Sequence, residues 1–92
     1  MKLWWFSGDS GLREFIFAKT EERASELYAE VLIMSGAPAT RYWGKEFTEE
    51  AVQGSYREHY RAAVDSDQEG FGEFDVRRGW RIVPLADRIQ RL

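Results

Sequence analysis

The chain has 92 residues, 43% of them hydrophobic and 32% charged, with a net charge of −3. This composition describes one globular domain, 1–92, and excludes a disordered chain. Cysteine is absent, which excludes disulfides and thiolate metal sites and fits a cytoplasmic location. No apolar run approaches the ~18 residues of a membrane span, and no basic n-region followed by an apolar stretch marks a signal peptide.

The first eighteen residues read as a β-hairpin built mainly from aromatics. Leu3-Trp4-Trp5-Phe6 and Leu12-Arg13-Glu14-Phe15-Ile16-Phe17-Ala18 bracket Ser7-Gly8-Asp9-Ser10-Gly11, a cluster that supplies the positive-φ positions of a tight reversal. Strands are expected near 1–7 and 12–18. Adjacent strand residues point to opposite faces, so Trp4 and Trp5 cannot share one core. In a single-layer fold one of them lies on the open face, where an exposed tryptophan is a binding feature.

Thr20 is an N-cap, and Glu21 and Glu22 follow where the helix dipole favours anions. Ala24, Leu27, Tyr28, Val31 and Leu32 then mark one face of a helix over 21–35. Ser35-Gly36 and Pro38 end it. Residues 37–47 form a connector with a short extended piece at Thr40–Trp43. Thr48 caps a second helix, 49–64, with Phe47 and Val52 placed as a hydrophobic staple. That helix carries Val52, Tyr56, His59, Tyr60 and Ala63 on one side and is weakened at Gly54.

A polar loop, 65–70, leads to a second hairpin with strands near 73–77 and 80–83 around Arg78-Gly79. Pro84 closes the last strand, and Leu85, Ile89 and Leu92 give a short amphipathic tail helix. The order is β-β-α-α-β-β-α. The expected fold is therefore a small α+β domain, with a mainly antiparallel sheet of two hairpins packed against two helices. The expected core contains Leu3 or Trp4, Phe15 or Ile16, Leu27, Val31, Phe74, Val76 and Ile82.

Charge is unevenly divided. Residues 46–75 hold nine carboxylates against Arg57 and Arg61, a net of −7. Residues 76–92 hold Arg77, Arg78, Arg81, Arg88 and Arg91 against Asp87, a net of +4. Such asymmetry steers partners. Asp65-Ser66-Asp67-Gln68-Glu69-Gly70 resembles the opening of an EF-hand calcium loop. It departs at the twelfth position, where Val76 replaces the bidentate glutamate, and in leading to a strand. His59 has no Cys or second His at helical spacing, and no metal cage or catalytic motif is legible. The Gly8–Gly11 turn lacks the lysine and helix of a phosphate loop. No catalytic residue, metal or cofactor is expected.

In size, architecture, charge density and lack of an active-site signature, the chain resembles the small accessory proteins of phages and other mobile elements, including anti-CRISPR inhibitors. The resemblance implies a non-enzymatic inhibitor or accessory factor of a nucleic-acid-handling complex; it transfers no residue roles. The expected protein-contact residues are Trp4, Trp5, Glu49, Glu50, Asp65, Asp67 and Glu69. The alternative is direct nucleic-acid binding through Arg77, Arg78, Arg81, Arg88 and Arg91, whose guanidinium groups suit phosphates.

Overall fold

Gly11 takes a positive φ of 88° and donates its N–H to the Gly8 carbonyl at 3.0 Å, which closes the first hairpin. The computed structural model describes residues 1–36, 41–52 and 55–92, with backbone alone at Ser55, Tyr56 and Glu58. β1 (Lys2–Gly8) pairs antiparallel with β2 (Arg13–Ala18), placing Leu3 opposite Phe17, Trp4 opposite Ile16 and Trp5 opposite Phe15. Thr20 caps α1 (Glu21–Ser35) by accepting the Arg23 N–H at 3.1 Å. Gly36, at φ 71°, ends α1 in the left-handed region, where an L side chain is strained.

The chain then returns as β3 (Tyr42–Glu46), antiparallel to β1 on the side away from β2. A 3₁₀ turn at Glu49–Ala51 and α2 (Ser55–Asp65) follow, then β4 (Gly70–Asp75), β5 (Gly79–Val83) and α3 (Leu85–Gln90). The sheet runs β3-β1-β2-β4-β5, antiparallel throughout. The expected α+β class and both hairpins are present, and β3 is an additional edge strand.

Helices cover both faces. α1 and α3 lie on the face of Trp4, Phe6, Ile16, Ala18, Phe71 and Val83, where Leu27, Tyr28 and Val31 complete the main core. α2 lies on the other, where Ala63, Tyr60 and Val64 meet Leu3, Phe17 and Trp80. Leu3 and Trp4 are thus both buried, on opposite faces. Each buried aromatic removes about 150–250 Å² from water, which is how a chain this short fills two half-cores.

Four expectations are corrected. Val76 is 68% exposed, because β4 ends at Asp75, whose Oδ1 accepts the N–H groups of Arg77 and Arg78 at 2.7 and 3.1 Å and turns the chain. The strand near 73–77 begins at Gly70 instead, which adds buried Phe71 to the core. The helix over 49–64 is two pieces: Val52 is extended, with φ −89° and ψ 129°, and its side chain is buried. The extended piece at Thr40–Trp43 shifts to Tyr42–Glu46. Pro38, Thr40, Gly54 and the Tyr56 side chain lie outside the described residues. Among the described residues no helix is long and apolar enough to cross a membrane.

Candidate functional site

The edge strand β3 is exposed along most of its length. Its hydrogen-bond parity follows from two contacts. Phe47 N–H donates to Leu3 O at 2.7 Å, and Asp9 N–H donates to Arg41 O at 3.1 Å. In an antiparallel ladder alternate residues turn their N–H and C=O to the same neighbour. Residues 41, 43, 45 and 47 therefore face β1, and Tyr42, Gly44 and Glu46 direct their backbone groups outward.

The side chains divide as cleanly. Tyr42, Gly44 and Glu46 lie on the α1 face. The Tyr42 ring sits 5.1 Å from Tyr28 and 6.2 Å from Phe6, and its hydroxyl is 2.8 Å from Ser25 Oγ. Gly44 lies under the Phe6 ring, and Glu46 is 3.8 Å from Lys2 Nζ. Trp43 and Lys45 lie on the opposite face. Trp43 is 60% exposed, and Lys45 Nζ is 5.9 Å from the centre of the Phe47 ring. Beside them on β1, Trp5 is half-buried against Phe15, ring centres 4.6 Å apart. β3 thus combines an outward row of backbone donors and acceptors with an exposed indole and a cation. Such an edge templates pairing with another strand.

The contact residues expected from sequence have different surroundings. Trp4 is buried at 6% exposure, its Nε1–H donating to Ala18 O at 3.1 Å, so it is a core residue and no contact residue. Trp5 is the partly exposed member of the pair. Glu49 accepts from Arg61 Nη2 at 2.8 Å. Glu50 is exposed; hydrogen bonds from its own backbone and from Thr48 hold its carboxyl below the usual range. Asp65 ends α2, and Asp67 takes a left-handed φ of 57° in the turn beyond it. Glu69 is held by Arg23, whose Nε lies 3.0 Å from both carboxylate oxygens and whose Nη2 lies 2.8 Å from Oε1.

The arginines also separate. Arg88 binds Glu14 and Arg91 binds Glu73. That leaves Arg77, Arg78 and Arg81 exposed at the end of the second hairpin. There Arg78 borders two shallow concavities beside Trp80, of about 190 and 240 Å³.

The calcium-like loop and His59 each meet other elements of the fold. Glu69 of the loop is engaged by Arg23 of α1, and among the described residues no group of three or more His, Asp or Glu is placed to hold a metal ion. His59 packs over Gly79, where a Cβ would come 2.6 Å from its ring. It also faces Phe74, ring centres 6.2 Å apart.

Sequence reasoning missed β3 as a site. The signal is the run Tyr42-Trp43-Gly44-Lys45-Glu46, strand-forming aromatics followed by charges with no apolar alternation, which is the pattern of an edge wet on both sides. Comparison with known protein families, with curated proteins and with solved structures yields no match to this chain.

Proposed function

We propose that this chain is a non-enzymatic protein-binding module whose contact surface is the β3 edge, with Trp43 as anchor and Trp5 beside it. The observation that carries this reading is an edge strand with outward backbone groups at Tyr42, Gly44 and Glu46 and an indole 60% exposed. Tryptophan is enriched among residues that dominate binding energy, and the unpaired backbone groups of an edge strand are a template for pairing with another chain. The setting assigned to it is that of an accessory or inhibitory factor of a nucleic-acid-handling complex. The −7 and +4 charge blocks support that setting, and contacts of this kind weaken as salt rises.

The test is affinity capture with the wild-type chain and with Trp43→Ala, at low and high salt, alongside thermal melts. A partner held by wild type and lost by Trp43→Ala at unchanged melting temperature supports the reading. Retention of the same partner by Trp43→Ala, or no partner under either condition, overturns it.

A further inference from the structure

Resting on that reading of the β3 edge, we infer that the strand which pairs with it is β3 of a second copy, antiparallel and centred on Gly44. Three observations select this occupant and this register.

The first is parity. Gly44 is an outward-facing residue, so two copies related by a two-fold axis beside it can exchange N–H···O bonds between the glycines. The same step pairs Tyr42 with the partner's Glu46, and Glu46 with the partner's Tyr42. Every outward backbone group of β3 then has a partner.

The second is charge. In this register Trp43 stands opposite the partner's Lys45, and Lys45 opposite the partner's Trp43. These are non-hydrogen-bonded pairs, where side chains approach closest. Each ammonium group then lies between the Phe47 ring of its own chain, 5.9 Å away, and the partner's indole, a cation–π arrangement. Shifted registers lose this match. Centring on Trp43 sets Lys45 against the partner's Arg41, and centring on Lys45 sets the lysine against itself; like charges directly opposite are unfavourable.

The third is space. The Gly44 position has no side chain, and the Phe6 ring occupies the place of its Cβ. No side chain projects from the centre of the pair, and on the α1 face the Phe6 ring, rather than a Cβ, lies against Gly44. Across the axis the two five-stranded sheets become continuous. A ladder this short buries less than the roughly 1,200 Å² of a standard stable interface, so the association depends on protein concentration.

Sedimentation across the micromolar range provides the first measurement. Wild type should pass from monomer to dimer with rising concentration. Trp43→Lys, which sets lysine against lysine, should remain monomeric. The swap Trp43→Lys with Lys45→Trp rebuilds the pair and should restore the dimer. Glu46→Pro, which removes an outward N–H and leaves the bonds to β1 intact, should weaken it.

Because the chain has no cysteine, cross-linking reads the register directly. Oxidising a mixture of Trp43→Cys and Lys45→Cys chains should give the mixed disulfide, since directly opposite Cα atoms fall within bonding reach. Trp43→Cys alone should not cross-link, its two copies lying roughly 8 Å apart by the strand spacings. Equal cross-linking of Trp43→Cys with itself, or a dimer that survives both Trp43→Lys and Glu46→Pro, overturns the inference. A wild type monomeric throughout, yet capturing another protein in a Trp43-dependent way, overturns self-pairing and leaves the binding reading standing.

Discussion

Arg88 and Glu14, 74 residues apart in sequence, form an ion pair between α3 and the sheet, with Arg88 Nε donating to Glu14 Oε1 at 2.8 Å. Their side chains are 19% and 10% exposed. Burial pushes the Glu14 carboxyl above its usual range, while Arg88 pulls it down. The pair ties the last helix to the second strand and closes the main core at its polar rim.

Removing one partner strands the other in a poorly hydrated place. Arg88→Ala should therefore cost about 3–5 kcal/mol, the range for breaking a buried pair. Denaturant unfolding would measure it, and a loss below ~1 kcal/mol would mean that water reaches Glu14 freely. The pH dependence has a definite sign. Glu14 holds its proton more tightly folded than unfolded, so its contribution is fully present below the ordinary glutamate value and declines as pH rises through the folded value. Glu14→Gln should lack that decline when melting temperature is followed upward from pH 4.

Gly44→Ala should destabilise the fold by about 1–3 kcal/mol, the cost of overpacking. A Cβ at this position lands on the Phe6 ring, 2.6 Å from Cε1. Phe6 cannot easily retreat, since it is buried with the Tyr28 ring centre 5.4 Å away. Urea unfolding would show the change; an unaltered midpoint would mean that Phe6 has another rotamer to occupy.

How much of this was legible in the sequence depended on whether the cause was local. The first hairpin and α1 were readable because turn chemistry, caps and apolar period all act within a few residues: Gly11, Thr20 and the Ala24–Leu32 stripe. β3 was readable only as an extended piece at Thr40–Trp43, because Tyr42-Trp43-Gly44-Lys45-Glu46 has no apolar alternation to fix its bounds. The start of β4 was not, because Gly70-Phe71-Gly72 reads as a loop. In fact Gly72 lacks a side chain so that the rings of Phe17 and Trp80 can close over it. The acidic and basic blocks were visible, but which residue pairs with which was not. Arg23 reaches Glu69 across 46 residues and Arg91 reaches Glu73 across 18, and nothing local predicts such matches.

The Arg23–Glu69 pair bears on the calcium-like loop. Glu69 receives both Nε and Nη2 of Arg23, so a cation would have to displace a guanidinium. Millimolar calcium should leave the melting temperature of the wild type unchanged. Both side chains are partly exposed, 44% and 34%, so Arg23→Ala should cost no more than ~1 kcal/mol. If that variant gains a calcium-dependent rise in melting temperature, the loop is a cation site masked by Arg23. No rise in either protein would leave Asp65, Asp67 and Glu69 as surface carboxylates.

The two adjacent tryptophans should respond differently to truncation, for reasons of place. Trp4 is enclosed on the α1 face and donates its indole N–H to Ala18 O at 3.1 Å, bridging to the end of the neighbouring strand. Trp4→Ala removes that bond and opens a cavity that the surrounding core cannot fully fill, so about 3–5 kcal/mol should be lost. Trp5 faces the other way and packs on Phe15 at the margin of the half-core under α2. It is only half-buried, so Trp5→Ala should cost about 1–2 kcal/mol, roughly in proportion to the apolar area it hides. Guanidinium titrations of the two variants at one temperature would measure the difference. The larger loss should fall on Trp4, and Trp5→Ala should still unfold in one cooperative step. Equal losses would mean that α2 shields Trp5 as thoroughly as α1 shields Trp4, and the patch around Trp43 would then have no second aromatic at its flank.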